Sequence, residues 1–126
     1  MTIILIVEDD VALSRLYKLI LETEGFQIIQ AYNGKEAVDL YKSQLHKPDI
    51  ILMDHRMPIK NGIEASKEIL EIEKKTKIIF LSADATVESD AISLGVKKFV
   101  KKPFLTKELI HEIVEVLSLQ EIISIT

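Results

Sequence analysis

The chain has 126 residues, enough for one compact domain with a sizeable core, and 48% of them are hydrophobic. It carries no cysteine and a formal net charge of −4, which excludes a disulfide framework and a thiolate metal site and argues against direct nucleic-acid binding. The opening MTIILIVEDD has no basic n-region and its apolar run stops at Glu8, Asp9 and Asp10, so it reads as neither signal peptide nor membrane span, and a cytoplasmic protein is expected.

Ile3 to Val7 is an unbroken apolar run rich in Ile, the pattern of a strand covered on both faces. The acids that end it lead into a helix over 11–24, whose apolar positions Leu13, Leu16, Tyr17, Ile20 and Leu21 recur at helical spacing before Gly25. Phe26 to Ala31 predicts a second strand. Asn33-Gly34 then turns into a helix from Lys35 to about Leu45, with Ala37, Val38, Leu40 and Tyr41 inward. Ile50 to Met53 is the third strand, placing Asp54 at its carboxyl end, and Pro58 with Asn61-Gly62 closes the loop that follows. A helix after Gly62 carries Ile63, Ile69, Leu70 and Ile72, with Glu71, Glu73, Lys74 and Lys75 as its solvated face. Lys77 to Leu81 is the fourth strand, ending at Ser82. A helix from Thr86 to Leu94 stops at Gly95, Lys98 to Lys101 is a short fifth strand, and a last helix begins near Thr106 with Leu109, Ile110, Ile113, Val114 and Leu117 inward.

Strand and helix alternate five times, which predicts an α/β fold: a doubly wound five-stranded parallel sheet with helices on both faces and right-handed crossovers. No repeat or linker divides the chain. One domain is expected over 1–126, with a core of about 3–119 and a short C-terminal extension at 120–126.

In a parallel sheet all carboxyl ends lie at one edge, where ligands of such folds bind. The residues gathered there are Glu8, Asp9 and Asp10, then Asp54, Ser82 and Lys102. Carboxylates this close raise one another's pKa unless a cation joins them. With no His or Cys among them, the set suits Mg²⁺ better than zinc, and Mn²⁺ could substitute. Hard cation, ammonium and hydroxyl together suit phosphoryl chemistry, with Asp54 as the nucleophile. Each residue also has a plain reading by itself: Asp54 as a turn cap, the acids as a favourable charge at a helix start, Ser82 as a turn residue, Lys102 as a surface lysine.

The motifs VEDD, MDHRMPIKNG, LSAD and VKKPF, in that order and spacing, resemble the receiver domains of two-component response regulators, the CheY-like family, over nearly the whole chain. The resemblance implies a flavodoxin-like fold with strand order 2-1-3-4-5. It implies that Asp54 is the phosphoacceptor for a sensor histidine kinase or histidine phosphotransfer protein. By the same resemblance Glu8, Asp9, Asp54 and the backbone carbonyl of Arg56 hold Mg²⁺, and Asp10 caps the first helix. Ser82 and Lys102 meet the phosphoryl oxygens, and Phe99 is the aromatic that moves inward when Ser82 shifts. The residues two past Asp54 and two past Ser82 are Arg56 and Asp84, of opposite charge; they are expected to pair and to tune dephosphorylation.

Such a protein acts through protein partners at a face made by the fourth helix, fifth strand and fifth helix, and catalyses only its own phosphorylation and dephosphorylation. Val11, Ser14, Arg15 and Lys18, with Pro103 and Phe104, are expected to dock the kinase. Lys97, Lys98, Lys101 and Lys102 form an apparent basic strip where dimerising relatives carry an acidic pair. A monomer is therefore expected, with weak dimerisation on phosphorylation as the alternative, and neither nucleic-acid binding nor membrane insertion. His46, His55 and His111 are given no chemistry beyond His55 as a modulator. A phosphate sink or relay receiver is an alternative role. A Mg²⁺-dependent phosphatase of the haloacid-dehalogenase type is a weaker one, since such enzymes carry an acid where this chain has Arg56.

Overall fold

The computed structural model describes residues 1–125, with side chains described as far as Ser118. The elements are β1 (Ile3–Val7), α1 (Val11–Thr23), β2 (Gln27–Ala31), α2 (Gly34–Ser43), β3 (Ile50–Asp54), α3 (Gly62–Ile72), β4 (Ile78–Ser82), a 3₁₀ turn (Ala85–Val87), α4 (Glu88–Leu94), β5 (Lys98–Lys101) and α5 (Thr106–Ile125). All strand pairs are parallel, in the order β2-β1-β3-β4-β5. This is the doubly wound α/β sheet that the alternation of elements predicts.

Two cores sandwich the sheet, and the two-residue period of the strands sorts side chains between them. Leu5 and Val7 of β1, Ile51 and Met53 of β3, and Ile78 and Phe80 of β4 face Ala37, Tyr41, Ala65, Ile69 and Ala91 on α2, α3 and α4. Ile4, Ile6, Ile50, Leu52, Ile79 and Leu81 face Tyr17, Leu21, Leu109, Ile113 and Val116 on α1 and α5. Continuous apolar strands such as IILIV and IILMD are therefore what burial on both faces requires. Asp10, Asn33 and Asn61 cap α1, α2 and α3 by accepting a backbone N–H, and Glu64 completes a capping box with Asn61.

Several expectations need correction. Leu16 is 51% exposed, whereas Ser14 is fully buried, so α1 turns Ser14, Tyr17 and Leu21 to the sheet. The Ser14 hydroxyl is satisfied there by accepting a hydrogen bond from Gln30 Nε2 at 2.9 Å. Ile72 is also exposed, and α3 ends at it, so Glu73, Lys74 and Lys75 lie in the following turn and not on the helix. The helix predicted from Thr86 begins instead as the 3₁₀ turn, because the Asp84 carboxylate takes both the N–H and the hydroxyl of Thr86. Finally, α5 continues to Ile125 and takes in all but the last residue of the expected extension; Thr126 lies outside the described residues. Among the described residues no helix is long and apolar enough to cross a membrane.

Candidate functional site

The sheet register builds the site. Val7 pairs with Met53, Asp54 with Leu81 and Ser82 with Lys101, so Glu8, Asp54, Ser82 and Lys102 meet at the carboxyl edge. The apolar runs of β1, β3 and β4 stop at Glu8, Asp54 and Ser82, and Lys102 follows β5.

Glu8, Asp9 and Asp54 present carboxylate oxygens that all lie within 4.8 Å of one another. Glu8 is 3% exposed, and burial is the main reason its carboxyl is pushed up to about 7; the nearby Asp54 charge adds to this, while the hydrogen bond from Lys102 opposes it. Lys102 donates to Glu8 Oε1 at 3.0 Å and to Asp54 Oδ1 at 3.4 Å. Burial alone would lower its pKa, but the two carboxylates outweigh burial and hold the ammonium above its usual value. Lys102 is thus a fixed countercharge between two acids from different strands.

Asp54 is further held by the His55 backbone N–H, which donates to Oδ1 at 2.8 Å. The loop behind it is folded tightly: the Gly62 N–H donates to the His55 carbonyl at 2.9 Å. A Cβ at Gly62 would fall on the Asp54 carbonyl oxygen and lie 2.9 Å from Phe80 Cζ. Only glycine fits this close approach. Ile59, between Pro58 and Lys60, has φ +72°, a left-handed conformation unusual for a β-branched residue, and is 76% exposed.

Ser82 is buried, and its hydroxyl accepts the Asp84 N–H at 3.0 Å. Arg56 and Asp84 pair across the mouth, Nη2 to Oδ2 at 3.2 Å. Thr86 and then Arg56 hold the Asp84 carboxyl below its usual range. Asp54, Arg56, Ser82, Asp84 and Lys102 line a cleft of about 490 Å³, large enough for a phosphoryl group.

Phe99 stands outside this cleft. Its ring is half-buried on the α4 side of the sheet, stacked on Phe80 with centroids 5.8 Å apart and an interplanar angle of 14°. The expected basic strip is not continuous. Lys98 pairs with Glu112 at 3.3 Å and Glu115 at 2.5 Å on α5, and Lys102 turns into the site, leaving Lys97 and Lys101 exposed. Of the helix residues expected to dock a kinase, Ser14 is buried while Val11 and Arg15 are exposed, and Leu16, also exposed, borders with Leu13, Tyr17, Ile20 and Phe104 an apolar groove of about 420 Å³. Sequence reasoning also passed over Phe80 and the packing of His55. A ring on β4 in register with Phe99 was the available signal for the first.

The profile of the response regulator receiver domain matches residues 4–114. The chain belongs to the response regulator receiver family. It is 40% identical over 113 residues to the chemotaxis protein CheY of Bacillus subtilis, covering 87% of this chain and 92% of that protein. A CheY-like receiver domain protein from Methanospirillum hungatei superposes with a TM-score of 0.90 at 27% identity, over 96% and 97% of the two chains. The response regulator TrrA from Thermotoga maritima, solved in complex with Mg²⁺ and BeF, superposes with a TM-score of 0.83 at 34% identity over 91% and 98%. Receivers are the signalling domains of two-component systems.

Proposed function

We propose that this receiver takes a phosphoryl group from a phosphohistidine of a sensor kinase or phosphotransfer protein onto Asp54, and that the aspartyl phosphate changes the face formed by α4, β5 and α5 to control a protein partner. The observation that carries this reading is the convergence of Glu8, Asp9, Asp54, Ser82 and Lys102 at one sheet edge, where Asp54, Ser82 and Lys102 line the cleft and Asp54 and Lys102 also contact or adjoin the acidic pair. Three oxygen donors without His or Cys fit Mg²⁺, and TrrA, at 34% identity, was solved with Mg²⁺ and BeF. Glu8, Asp9 and Asp54 would hold the ion, with the Arg56 backbone carbonyl as a further ligand. When bound, Mg²⁺ supplies charge neutralisation to the transferring phosphoryl oxygens.

The chain's own residues do the rest. An Asp54 carboxylate oxygen attacks phosphorus, the P–N bond breaks, and the departing imidazole takes up a proton. Lys102 already lies within 3.4 Å of Asp54 and neutralises charge that develops on the phosphoryl oxygens. Ser82 exchanges its hydrogen bond from the Asp84 N–H for one donated to the phosphoryl group. The inward shift of Ser82 opens space toward which Phe99 turns, and the two packings coexist before phosphorylation, which shifts their populations. Arg56 and Asp84 screen the water that would hydrolyse the aspartyl phosphate. The protein acts in the cytoplasm as a monomer and turns over no external metabolite.

Amide chemical shifts recorded with Mg²⁺, before and after adding beryllofluoride, test this reading. The expected result is a set of changes at the site and across α4, β5 and α5. Changes confined to the loops around Asp54 would overturn the switch.

A further inference from the structure

Three aromatic rings run in a row from the phosphoacceptor loop to Phe99. The His55 imidazole lies 5.9 Å from the Phe80 ring, centroid to centroid, and the Phe80 ring lies 5.8 Å from that of Phe99. Phe80 is the middle member and is completely buried. On one side it pairs in register with Phe99 across β4 and β5, nearly parallel to it. On the other side its Cζ lies 2.9 Å from where a Gly62 Cβ would stand, so the tip of the ring is fitted against the backbone that packs on the Asp54 carbonyl.

The His55 end of the row is connected to Asp54. The residue bearing the first ring donates its N–H to Asp54 Oδ1, and its carbonyl accepts the N–H of Gly62. Nδ1 of His55 is buried and accepts no hydrogen bond from the protein, so packing against Phe80 orients that ring. A fully buried ring packed against both neighbours cannot absorb a displacement of one without passing it to the other. Stacked rings also carry a directional preference beyond their buried area.

We propose that Phe80 is a positioning residue that ties the orientation of Phe99 to the conformation of the loop after Asp54, with His55 and Gly62 as the loop's contact surface. The inference rests on the reading of Phe99 as the mobile aromatic and adds a route to it that does not pass through Ser82. A change in the hydrogen bond between the His55 N–H and Asp54 Oδ1 shifts the His55 and Gly62 backbone against Phe80, and the stacked partner Phe99 follows.

The chain has no tryptophan, so the F99W variant carries a single indole at the end of the row. Its emission is recorded with Mg²⁺ while beryllofluoride is added, and bound beryllofluoride is followed independently by ¹⁹F NMR. In F99W alone an emission shift is expected. In F80L/F99W the ¹⁹F signal of the bound ion should persist while the emission shift falls about five-fold, the scale of a coupling carried by one packed contact. H55L/F99W removes the other contact without altering the core of β4 and should weaken the shift in the same direction, which keeps the test decisive if F80L fails to fold. An emission shift of unchanged size in the variants that hold beryllofluoride would overturn the coupling and leave the switch reading standing. No shift in F99W itself, with the ¹⁹F signal present, would overturn both.

Discussion

Glu8 shows how a single buried acid can make a site depend on pH. Its carboxyl is pushed up to about 7 by burial, against an ordinary value of 4.5. Below 4.5 it is protonated folded or unfolded and contributes nothing to the pH dependence. Between 4.5 and 7 the folded state keeps a proton that the unfolded state has lost, so stability falls as pH rises and levels off above 7. The full shift corresponds to about 3 kcal/mol at most. Asp39, Asp84 and Glu115, held below their usual range, lose their contributions only at lower pH and do not mask this window. Melting temperatures in chelator should therefore drop between pH 5 and pH 8, Mg²⁺ should restore more stability at the higher pH, and Glu8→Gln should flatten the dependence. A flat profile for the unaltered protein would contradict this.

Two neighbours of Asp54 make equally specific demands. Gly62→Ala must push a methyl group onto the Asp54 carbonyl, and denaturant unfolding should show a loss of about 3 kcal/mol. Arg56 is 82% exposed on its side chain, so Arg56→Ala should leave folding intact and shorten the aspartyl phosphate lifetime about two- to three-fold, the scale of an exposed ion pair. An unchanged decay rate would remove Arg56 from that role. The strand-end acids, Ser82 and Lys102 were legible in the sequence because a polar residue closing an apolar run is a local signal. The row of His55, Phe80 and Phe99 was not, because ring contact between separate strands depends on packing that no spacing within one strand reveals.

Among the elements, the strands were legible to within a residue or so, since unbroken apolar runs bounded by charges and turns leave little choice. Helix faces were less so. The α1 sequence carries two overlapping apolar stripes, and helical spacing alone does not say which meets the sheet; Ser14, small and paired with Gln30, takes the inner place that Leu16 was expected to share. The result is an exposed leucine beside Phe104 and the apolar groove. Of the residues expected to dock a kinase only Ser14 is buried, and a partner that docks on this helix face would also meet Leu16. Leu16→Ala should slow phosphotransfer from a phosphohistidine protein about five-fold while leaving labelling by acetyl phosphate unchanged. Equal slowing with both donors would place Leu16 in the folding of the site instead. On α5, the pairing of Lys98 with Glu112 and Glu115 could not be read from β5, because the partners lie in a helix that crosses over it only in the folded sheet.

For the molecule as a whole, five alternating elements determine one parallel sheet, and one parallel sheet brings every strand end to a single edge. The chemistry of the site is a consequence of that topology, since residues as distant as Glu8 and Lys102 become hydrogen-bonded partners. The central claim is that this edge exists to phosphorylate Asp54. Intact-protein mass spectrometry after incubation with acetyl phosphate and Mg²⁺ tests it most directly, comparing the unaltered chain with Asp54→Asn. A single phosphoryl adduct on the unaltered chain, dependent on Mg²⁺ and absent from the variant, is the predicted result; an adduct of equal yield on Asp54→Asn would contradict it.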